Sequence, residues 1–330
     1  MDGKRFAKGT ERLVDPVTVG SIHFLQQFFG LLPLGVQRAL LERSSKASSH
    51  MGFVVEPYAF FLAYRVADEQ RASALLPKGF KLAKSRLFEG DEEACYAILS
   101  FFRVHTSAFW GLRCEWYLIA EDERTGLLSW IIVDYLSDTV SYDQTHGLRG
   151  PSAPKAVVTT SSDGRVLVDV EDEEGRGAAT FDAALSGSRF RPLDRRLWVE
   201  GNLSIGYGRS LSAEGPELFS LTFLPEEMDQ ALDVPLAGLQ VERMTWHDDL
   251  LAPAPERLAC FPFAQHLLSD SPGRSSAYPS EDALVQAAEA VDFSGLRAFS
   301  TGSVRTAVAA SVILSAAVTA ALAIALIVRG

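Results

Sequence analysis

The residue with the most distinctive potential chemistry is Lys155, at the end of the Gly- and Pro-rich loop 147–155 between two apolar segments. A lysine at the mouth of an apolar cavity loses hydration, which disfavours its ammonium form. The neutral amine can then attack a carbonyl carbon and form a Schiff base. Arg149, folded back toward this lysine, would disfavour the ammonium further. The alternative interpretation is an ordinary lysine in a solvated loop.

Four ionisable side chains interrupt segments that are otherwise apolar, namely Glu115, Tyr117, Asp134 and Glu200. A charge or hydroxyl that faces a core needs a partner or a chemical role, whereas the same group facing solvent needs neither. Both orientations are open from the sequence. Among them, Glu115 is the candidate proton donor or acceptor in a site that contains Lys155.

The sequence predicts neither a bound metal nor a cofactor. Phosphate-binding, dinucleotide-binding and zinc-protease motifs do not occur in a suitable setting. The densest group of potential metal ligands, His247-Asp248-Asp249, follows a predicted strand and is typical of a polar turn. A metal site there would need further ligands that converge from elsewhere in the fold.

Composition and charge limit the possible partners. The chain has 330 residues and a formal net charge of −11. Proteins that bind nucleic acid neutralise phosphates with Lys and Arg, so this acidic balance excludes nucleic acid as a partner. With 47% hydrophobic residues, the chain can bury the core of one large domain or two smaller ones. Cys95, Cys114 and Cys260 are far apart and lack a CxxC spacing, which favours a reduced, cytosol-facing protein.

Residues 53–263 are typical of an antiparallel β domain, because segments rich in aromatic and branched residues alternate with Gly-containing turns. The predicted strands are 53–66, 94–104, 112–120, 127–136, 157–160, 166–170, 197–207, 217–223 and 239–246. Short helices are predicted at 68–76 and 226–232. Since long crossover helices are missing, we predict an α+β fold, mainly antiparallel β, whose curled sheet forms a barrel or cone with short flanking helices.

The composition divides the chain into four parts. These are an N-terminal helical segment at 1–50, the β domain at 51–266, a linker with a short amphipathic helix at 267–303, and a membrane anchor at 304–328. Apolar residues crowd 17–43 at helical spacing, which predicts a helix that caps the core or lies on a membrane surface.

Residues 306–328 are an uncharged, mostly apolar run between Arg305 and Arg329. As a helix rising about 1.5 Å per residue, the run is roughly 34 Å long, enough to cross a hydrocarbon core of about 30 Å. We therefore predict a single-pass tail anchor that holds the N-terminal head on the cytoplasmic side of a membrane. Small residues four apart, from Ala307 to Ala323, would let two such helices pack as a homodimer.

The order of segments near the start of the β domain is similar to that of a known family. Residues 58–65 form a predicted strand ending in Tyr-Arg, and a short predicted helix leads from it to the Leu-Leu-Pro-Lys-Gly-Phe turn at 75–80. This arrangement resembles the opening of acetoacetate decarboxylase-like proteins. The predicted strands at 95–102 and 113–120 follow in the order of that family, and the resemblance covers about residues 53–265.

The resemblance implies that Lys155, in Pro154-Lys155, takes the place of the family's Schiff-base lysine. Ala156 stands where the family has a second lysine, 96–99 lack its acidic pair, and its arginine ahead of the first strand is replaced near Pro57. Decarboxylation, aldol or dehydration chemistry through the same imine, and a binding pocket without chemistry, all remain compatible with the resemblance.

Two functions follow as expectations. The first is a membrane-tethered, imine-forming lyase for a small keto acid or polyketide-like substrate, with Lys155 as nucleophile, Arg149 as the group that lowers its pKa or binds a carboxylate, and Glu115 in proton transfer. The second is a non-catalytic module that holds an apolar metabolite or lipid in a barrel cavity. Aromatic residues could line that cavity or fill an ordinary core: Phe60, Phe61, Phe101, Phe102, Trp110, Trp116 and Trp130.

Overall fold

The computed structural model describes residues 2–29, 32–37, 39, 50–106, 109–143, 147–212, 218–269 and 277–296, together with 306, 310, 313 and 317–319. Helices α1 to α4 occupy Gly3–Glu11, Pro16–Phe29, Glu69–Leu75 and Glu281–Ala290. Strands β1 to β10 are Gly52–Val55, Ala59–Val66, Phe80–Leu82, Lys84–Ser85, Ala94–Thr106, Trp110–Asp122, Leu128–Ser137, Ser141–Asp143, Gly147–Arg149 and Val157–Thr160. Strands β11 to β20 are Arg165–Glu171, Ala178–Ala184, Arg189–Pro192, Ile205–Tyr207, Leu218–Phe219, Thr222–Phe223, Gln230–Asp233, Leu239–Met244, Leu251–Phe261 and Gln265–Leu268.

The main sheet is built around the long hairpin of β5 and β6, each of which has 13 residues. Its principal path runs β13-β17-β19-β2-β5-β6-β7-β14-β15. Neighbours along this path are antiparallel except β7 and β14, which pair in parallel. A branch leaves β5 through β1 and β20 to β16. The mainly antiparallel β fold with short helices therefore agrees with the sequence prediction.

The predicted barrel or cone is wrong. Among the described residues, the path of paired strands does not return to its start, because β13 and β15 lie at its two ends. These end strands are four and two residues long, and within the described part of the chain they pair with β17 and β14 alone. Instead of closing on itself, the sheet buries its two faces against other elements, one against a smaller sheet and the other against helical turns.

The smaller sheet has the order β10-β11-β12-β18. Burial alternates along β11, where Val166, Val168 and Val170 are buried and the residues between them are exposed or half-buried. This period of two is the pattern of a strand with one face on a core. The buried valines share one apolar core with Phe60 of the main sheet. In the same core, Phe101 of the main sheet contacts Phe181 of the smaller sheet, with 5.1 Å between the ring centroids.

The opposite face of the main sheet is covered by helical turns in a segment that the sequence assigns to a strand. A π-helical turn at Arg196–Glu200 and a 3₁₀ turn at Gly201–Leu203 precede β14, so the predicted strand 197–207 is mostly wrong. Asp194 starts these turns, because its carboxylate accepts from the backbone N–H of Leu197 at 3.0 Å. Capping by an Asx side chain overrides the strand propensity of the aromatic and branched residues that follow.

Further assignments differ from the prediction. The helix expected at 226–232 is a 3₁₀ turn at Pro225–Met228 followed directly by β17. Strands β12 and β19 were not expected, since β12 is rich in alanine and β19 contains Pro253 and Pro255. The register of β19 against β2 shifts at these prolines, which is how a strand accommodates residues that cannot donate to the ladder.

The prediction of a membrane anchor is corrected. Most of 306–328 lies outside the described residues, and within the described part of the chain no helix is long and apolar enough to cross a membrane. The transmembrane helix, the single-pass membrane location and the homodimer through that helix are accordingly not supported.

Candidate functional site

The face of the main sheet that packs on the helical turns carries a small cavity of about 60 Å³. Its walls are mostly aromatic, with Phe61 from β2, Tyr117 from β6, Trp130 from β7 and Trp198 from the π-helical turn. Asn202, Ile205, Met228 and Gln265 complete the lining. Apolar walls with a few polar groups are typical of small-molecule sites. We call this cavity the aromatic pocket.

The two indoles of the aromatic pocket are held by backbone acceptors. Trp130 Nε1 donates to the carbonyl of Leu197 at 2.9 Å, and Trp198 Nε1 donates to the carbonyl of Leu87 at 2.8 Å. Asn202 Nδ2 in turn donates to the carbonyl of Trp198 at 2.7 Å. Because each ring has a fixed polar anchor, the walls are already in place before any ligand enters.

A glycine allows the helical turns to approach the sheet at this point. A Cβ atom on Gly201 would lie 2.8 Å from both Cδ1 and Nε1 of Trp130. No side chain larger than hydrogen fits there without moving the indole, so the wall made by Trp198 depends on this residue. π-helical turns are rare and often occur at functional sites.

Three side chains on one face of β6 form a buried polar row next to the aromatic pocket. Arg113, Glu115 and Tyr117 are two residues apart, so they point to the same side of the sheet. Glu115 Oε1 accepts from Arg113 Nη2 at 2.7 Å and from Arg113 Nε at 3.1 Å, and Glu115 Oε2 accepts from the Tyr117 hydroxyl. The Arg113 guanidinium also lies over the ring of Tyr135, 4.5 Å from its centroid.

Burial and pairing fix the charges in this row. Burial raises the pKa of Tyr117 well above its usual value, and the charge of Glu115 raises it further. Burial opposes the charge on Arg113, but the nearby Glu115 outweighs that effect and raises the pKa of Arg113. The row therefore presents a neutral phenol to the pocket, backed by an ion pair without net charge.

Gln265 is the polar group of the pocket with the weakest partner. Its side chain is buried, and its Nε2 donates to the thioether sulfur of Met228 at 3.1 Å. A thioether is a weak acceptor, so most of the cost of removing this amide from water is not recovered. A ligand oxygen in the cavity would be a better acceptor for the same donor.

The structure places Lys155 in an exposed turn, and Arg149 is half-buried in β9. The loop before the lysine is tied to β7, because the backbone N–H groups of Ser152 and Ala153 both donate to the carbonyl of Ser137. Ser137 pairs with the first residue of the buried row on β6. The loop thus starts one strand away from Glu115, while the lysine itself faces water.

Of the other ionisable groups singled out from the sequence, Asp134 is the most enclosed. Its Oδ2 accepts from Trp246 Nε1 at 2.9 Å and contacts His247 Nε2 at 2.8 Å. Burial alone would raise the pKa of Asp134, but these two hydrogen bonds outweigh it and the pKa is lowered. The residue after Trp246 adopts a left-handed backbone, with φ of 55° at His247. The carboxylate therefore joins the segment after β18 to β7.

Sequence reasoning selected Glu115 but missed its partner Arg113 and the pocket residues Trp198, Met228 and Gln265. The period-two pattern of Arg, Glu and Tyr on β6 is the signal that could have joined the row into one site. These three pocket residues come from three separate segments, which only the tertiary fold brings together.

Comparisons with known proteins give structural likenesses only. No protein-family model matches the chain, and no curated protein matches it. An acetoacetate decarboxylase from Legionella pneumophila subsp. pneumophila str. Philadelphia 1 matches 68% of this chain and 86% of its own, at 11% identity and a TM-score of 0.43. An acetoacetate decarboxylase-like enzyme from Sphingomonas wittichii RW1 matches 69% of this chain and 92% of its own, at 9% identity and a TM-score of 0.36.

The enduracididine biosynthesis enzyme MppR, with HEPES buffer bound, matches 66% of this chain and 85% of its own, at 12% identity and a TM-score of 0.38. The resemblance to acetoacetate decarboxylase-like proteins inferred from the sequence is thereby confirmed as a diffuse one. Likenesses at these identities and TM-scores carry no argument about activity, which has to come from this chain's own site.

Proposed function

We propose that this protein binds a small, mostly apolar molecule with one carbonyl group in the aromatic pocket. The observation that carries the proposal is the buried amide of Gln265, whose Nε2 donates only weakly, to the sulfur of Met228, at the wall of a cavity. A carbonyl oxygen would replace this weak acceptor and recover a full hydrogen bond, about 1 kcal/mol in net terms.

The size and lining of the cavity set the class of ligand. A volume of about 60 Å³ is about twice the roughly 30 Å³ that one water molecule occupies in the liquid, which limits the ligand to a short-chain ketone or aldehyde. The rings of Phe61, Trp130 and Trp198 suit the apolar part of such a molecule.

The charge balance favours a neutral ligand. Arg113 and Glu115 pair with each other at 2.7 Å, so the buried row offers no uncompensated charge to an ion. A free carboxylate or ammonium in the pocket would lose its hydration without a counterion. Tyr117 keeps its proton and donates it in a hydrogen bond to Glu115. The phenol oxygen can still accept a hydrogen bond from a ligand hydroxyl.

Binding of butanone to the full chain tests this function. Saturation-transfer NMR and calorimetry would detect the ketone, and competition with larger apolar ketones would give the size limit of the pocket. We expect Gln265→Leu to weaken binding about fivefold, the value of one hydrogen bond of about 1 kcal/mol. Val241→Ala, on an exposed strand of the smaller sheet, serves as the control and keeps the wild-type affinity. Equal affinities of wild type and Gln265→Leu would refute the role of the amide.

A second candidate function is the imine-forming lyase with Lys155 as nucleophile, Arg149 as its cationic neighbour and Glu115 in proton transfer. The tie between 152–153 and Ser137 supports it, because it brings the lysine loop to the strand beside Glu115. The exposure of Lys155 favours the binding function instead, since its side chain lies in water and not at the wall of an apolar cavity.

Borohydride trapping separates the two candidates. The chain would be incubated with a small keto acid and borohydride, and the adduct mapped by mass spectrometry. An adduct at Lys155 that is absent in Lys155→Ala supports the lyase. Ketone binding without any adduct, and unchanged in Lys155→Ala, supports the binding function. Lys78→Ala, in the exposed turn before β3, controls for non-specific reductive alkylation.

A further inference from the structure

An ion pair behind the aromatic pocket joins the two segments that carry its polar wall. Met228 ends the 3₁₀ turn at Pro225–Met228, and Gln265 begins β20. The ion pair is formed by their neighbours in the chain: Glu227 directly precedes Met228, and His266 directly follows Gln265. The distance between the two segments is therefore set by contacts on both sides of the wall.

One carboxylate binds His266 at two points. Glu227 Oε2 accepts from the backbone N–H of His266 at 2.7 Å, and Glu227 Oε1 lies 3.2 Å from the ring Nδ1. The two side chains are 12% and 19% exposed, so solvent screens the pair only partly. This double contact fixes both the backbone and the ring next to Gln265.

Helix α1 adds a second carboxylate from outside. Its last residue, Glu11, has Oε1 3.5 Å from His266 Nε2. The helix is held there by Phe6, which packs in an apolar cluster with Leu224 and Leu268. Leu224 directly precedes the 3₁₀ turn, and Leu268 is the last residue of β20. Helix α1 therefore covers the same two segments that form the polar wall of the pocket.

The surroundings of His266 favour its charged form. The hydrogen bond to Glu227 raises the pKa of His266, burial opposes this, and the charges of Glu227 and Glu11 add to the rise. On the neighbouring strand β1 its ladder partner is Val54. The next residue in that row, His105 on β5, is paired with Glu56 at 2.6 Å. The groups that act on His266 are thus the two carboxylates.

We propose that Glu227 and His266 are positioning residues that hold Gln265 against Met228, so that the pocket binds its ligand more tightly when His266 is protonated. The inference rests on the proposed function of the aromatic pocket. Protonation strengthens the contacts that His266 makes with Glu227 and with Glu11 of α1, and loss of the proton loosens the wall. By linkage, a bound ligand makes His266 hold its proton more tightly.

The test is the pH dependence of butanone affinity in the full chain, from about pH 5 to about pH 9. We expect the wild-type dissociation constant to rise several-fold as pH increases through the titration of His266. His266→Gln keeps a neutral hydrogen-bonding side chain and should make the affinity independent of pH. Glu227→Gln keeps only the contact with Glu11 and should reduce the pH dependence, and it provides a second variant if the first fails to fold. His105→Gln should keep the wild-type profile.

The outcomes distinguish the coupling between ligand binding and His266 protonation from ligand binding in the aromatic pocket itself. Binding with the same dissociation constant at all pH values in wild type refutes the coupling and leaves the pocket intact. A pH dependence that persists unchanged in both His266→Gln and Glu227→Gln also refutes it. Absence of binding at every pH refutes the proposed function itself. An NMR titration of His266 gives an independent readout, in which ligand must raise the pKa of this residue.

Discussion

Gln265 Nε2 and the Met228 thioether sulfur meet at 3.1 Å, a contact in which a buried amide has a poor acceptor. Proteins usually give a buried amide a full hydrogen bond, because the unpaired group costs about 1–3 kcal/mol. A weakly satisfied donor next to a cavity therefore makes the folded protein less stable than a fully paired donor would. A ligand that completes the hydrogen bond recovers this free energy, which makes such a position a candidate binding site.

This relationship predicts that Gln265→Leu raises the free energy of unfolding by up to about 1 kcal/mol, because it removes a poorly paired polar group at nearly constant volume. Asn202→Leu is the matched contrast, since its amide donates to Trp198 at 2.7 Å. That substitution should lower stability by about 1–3 kcal/mol. Urea unfolding of both variants checks the pair, and equal losses would show that both amides are structural.

The buried row on β6 predicts a large effect from a single uncharged substitution. Glu115→Gln leaves the Arg113 guanidinium buried without a counterion, and we expect a loss of about 3–5 kcal/mol in the free energy of unfolding. Replacing both partners, as in Arg113→Met with Glu115→Leu, should recover most of that loss. Glu171→Gln, in an exposed pair with Arg243 on the smaller sheet, controls for the loss of a carboxylate and should change little. A mild effect of Glu115→Gln would mean that water reaches Arg113.

The close approach of the helical turns to the main sheet at Gly201 predicts that a larger side chain there destabilises the fold. A Cβ atom there would lie 2.8 Å from the Trp130 indole, so Gly201→Ala should cost about 1–3 kcal/mol through overpacking. The near-ultraviolet circular dichroism of the tryptophans should change with it. The same exchange at Gly20 in α2 meets nothing within 4 Å, and alanine should stabilise that helix by about 0.5–1 kcal/mol. Unchanged dichroism in Gly201→Ala would contradict the contact.

The lowered pKa of Asp134 predicts how the free energy of unfolding falls at acid pH. Its pKa in the folded chain is lowered on balance, since hydrogen bonds from His247 and Trp246 outweigh burial. Such a group contributes stability that is fully present above its unfolded pKa of about 3.9 and is lost as pH falls through the folded pKa. Unfolding free energy should therefore drop below about pH 4, and less steeply in Asp134→Asn. Asp163→Asn, in an exposed turn, should leave the slope unchanged.

Local patterns in the sequence identify much of the sheet. The alternation along β11 and the aromatic and branched residues of β5, β6 and β7 predict these strands within a few residues. Gly79, Gly126 and Gly164 mark turns, and each has a positive φ that glycine adopts without strain. These features succeed because the cause of the structure lies within a few neighbouring residues.

The remainder depends on contacts between distant segments. Strand β12 is rich in alanine and is a strand because β11 and β18 pair with it on either side. The loop before β10 buries Ala153 and Ala156 in the core and thereby turns Lys155 to the solvent. Nothing within the loop decides which side faces inward, so the sequence allowed an enclosed lysine that the fold does not provide.

The most direct test of the account is the infrared carbonyl stretch of ¹³C-labelled butanone bound to the full chain. A hydrogen bond from Gln265 Nε2 must lower the stretching frequency relative to the ketone in an apolar solvent, and Gln265→Leu must restore the apolar value. Binding with an apolar-solvent frequency in wild type, or a lowered frequency that persists in Gln265→Leu, would contradict the assignment of the pocket as a carbonyl-binding site.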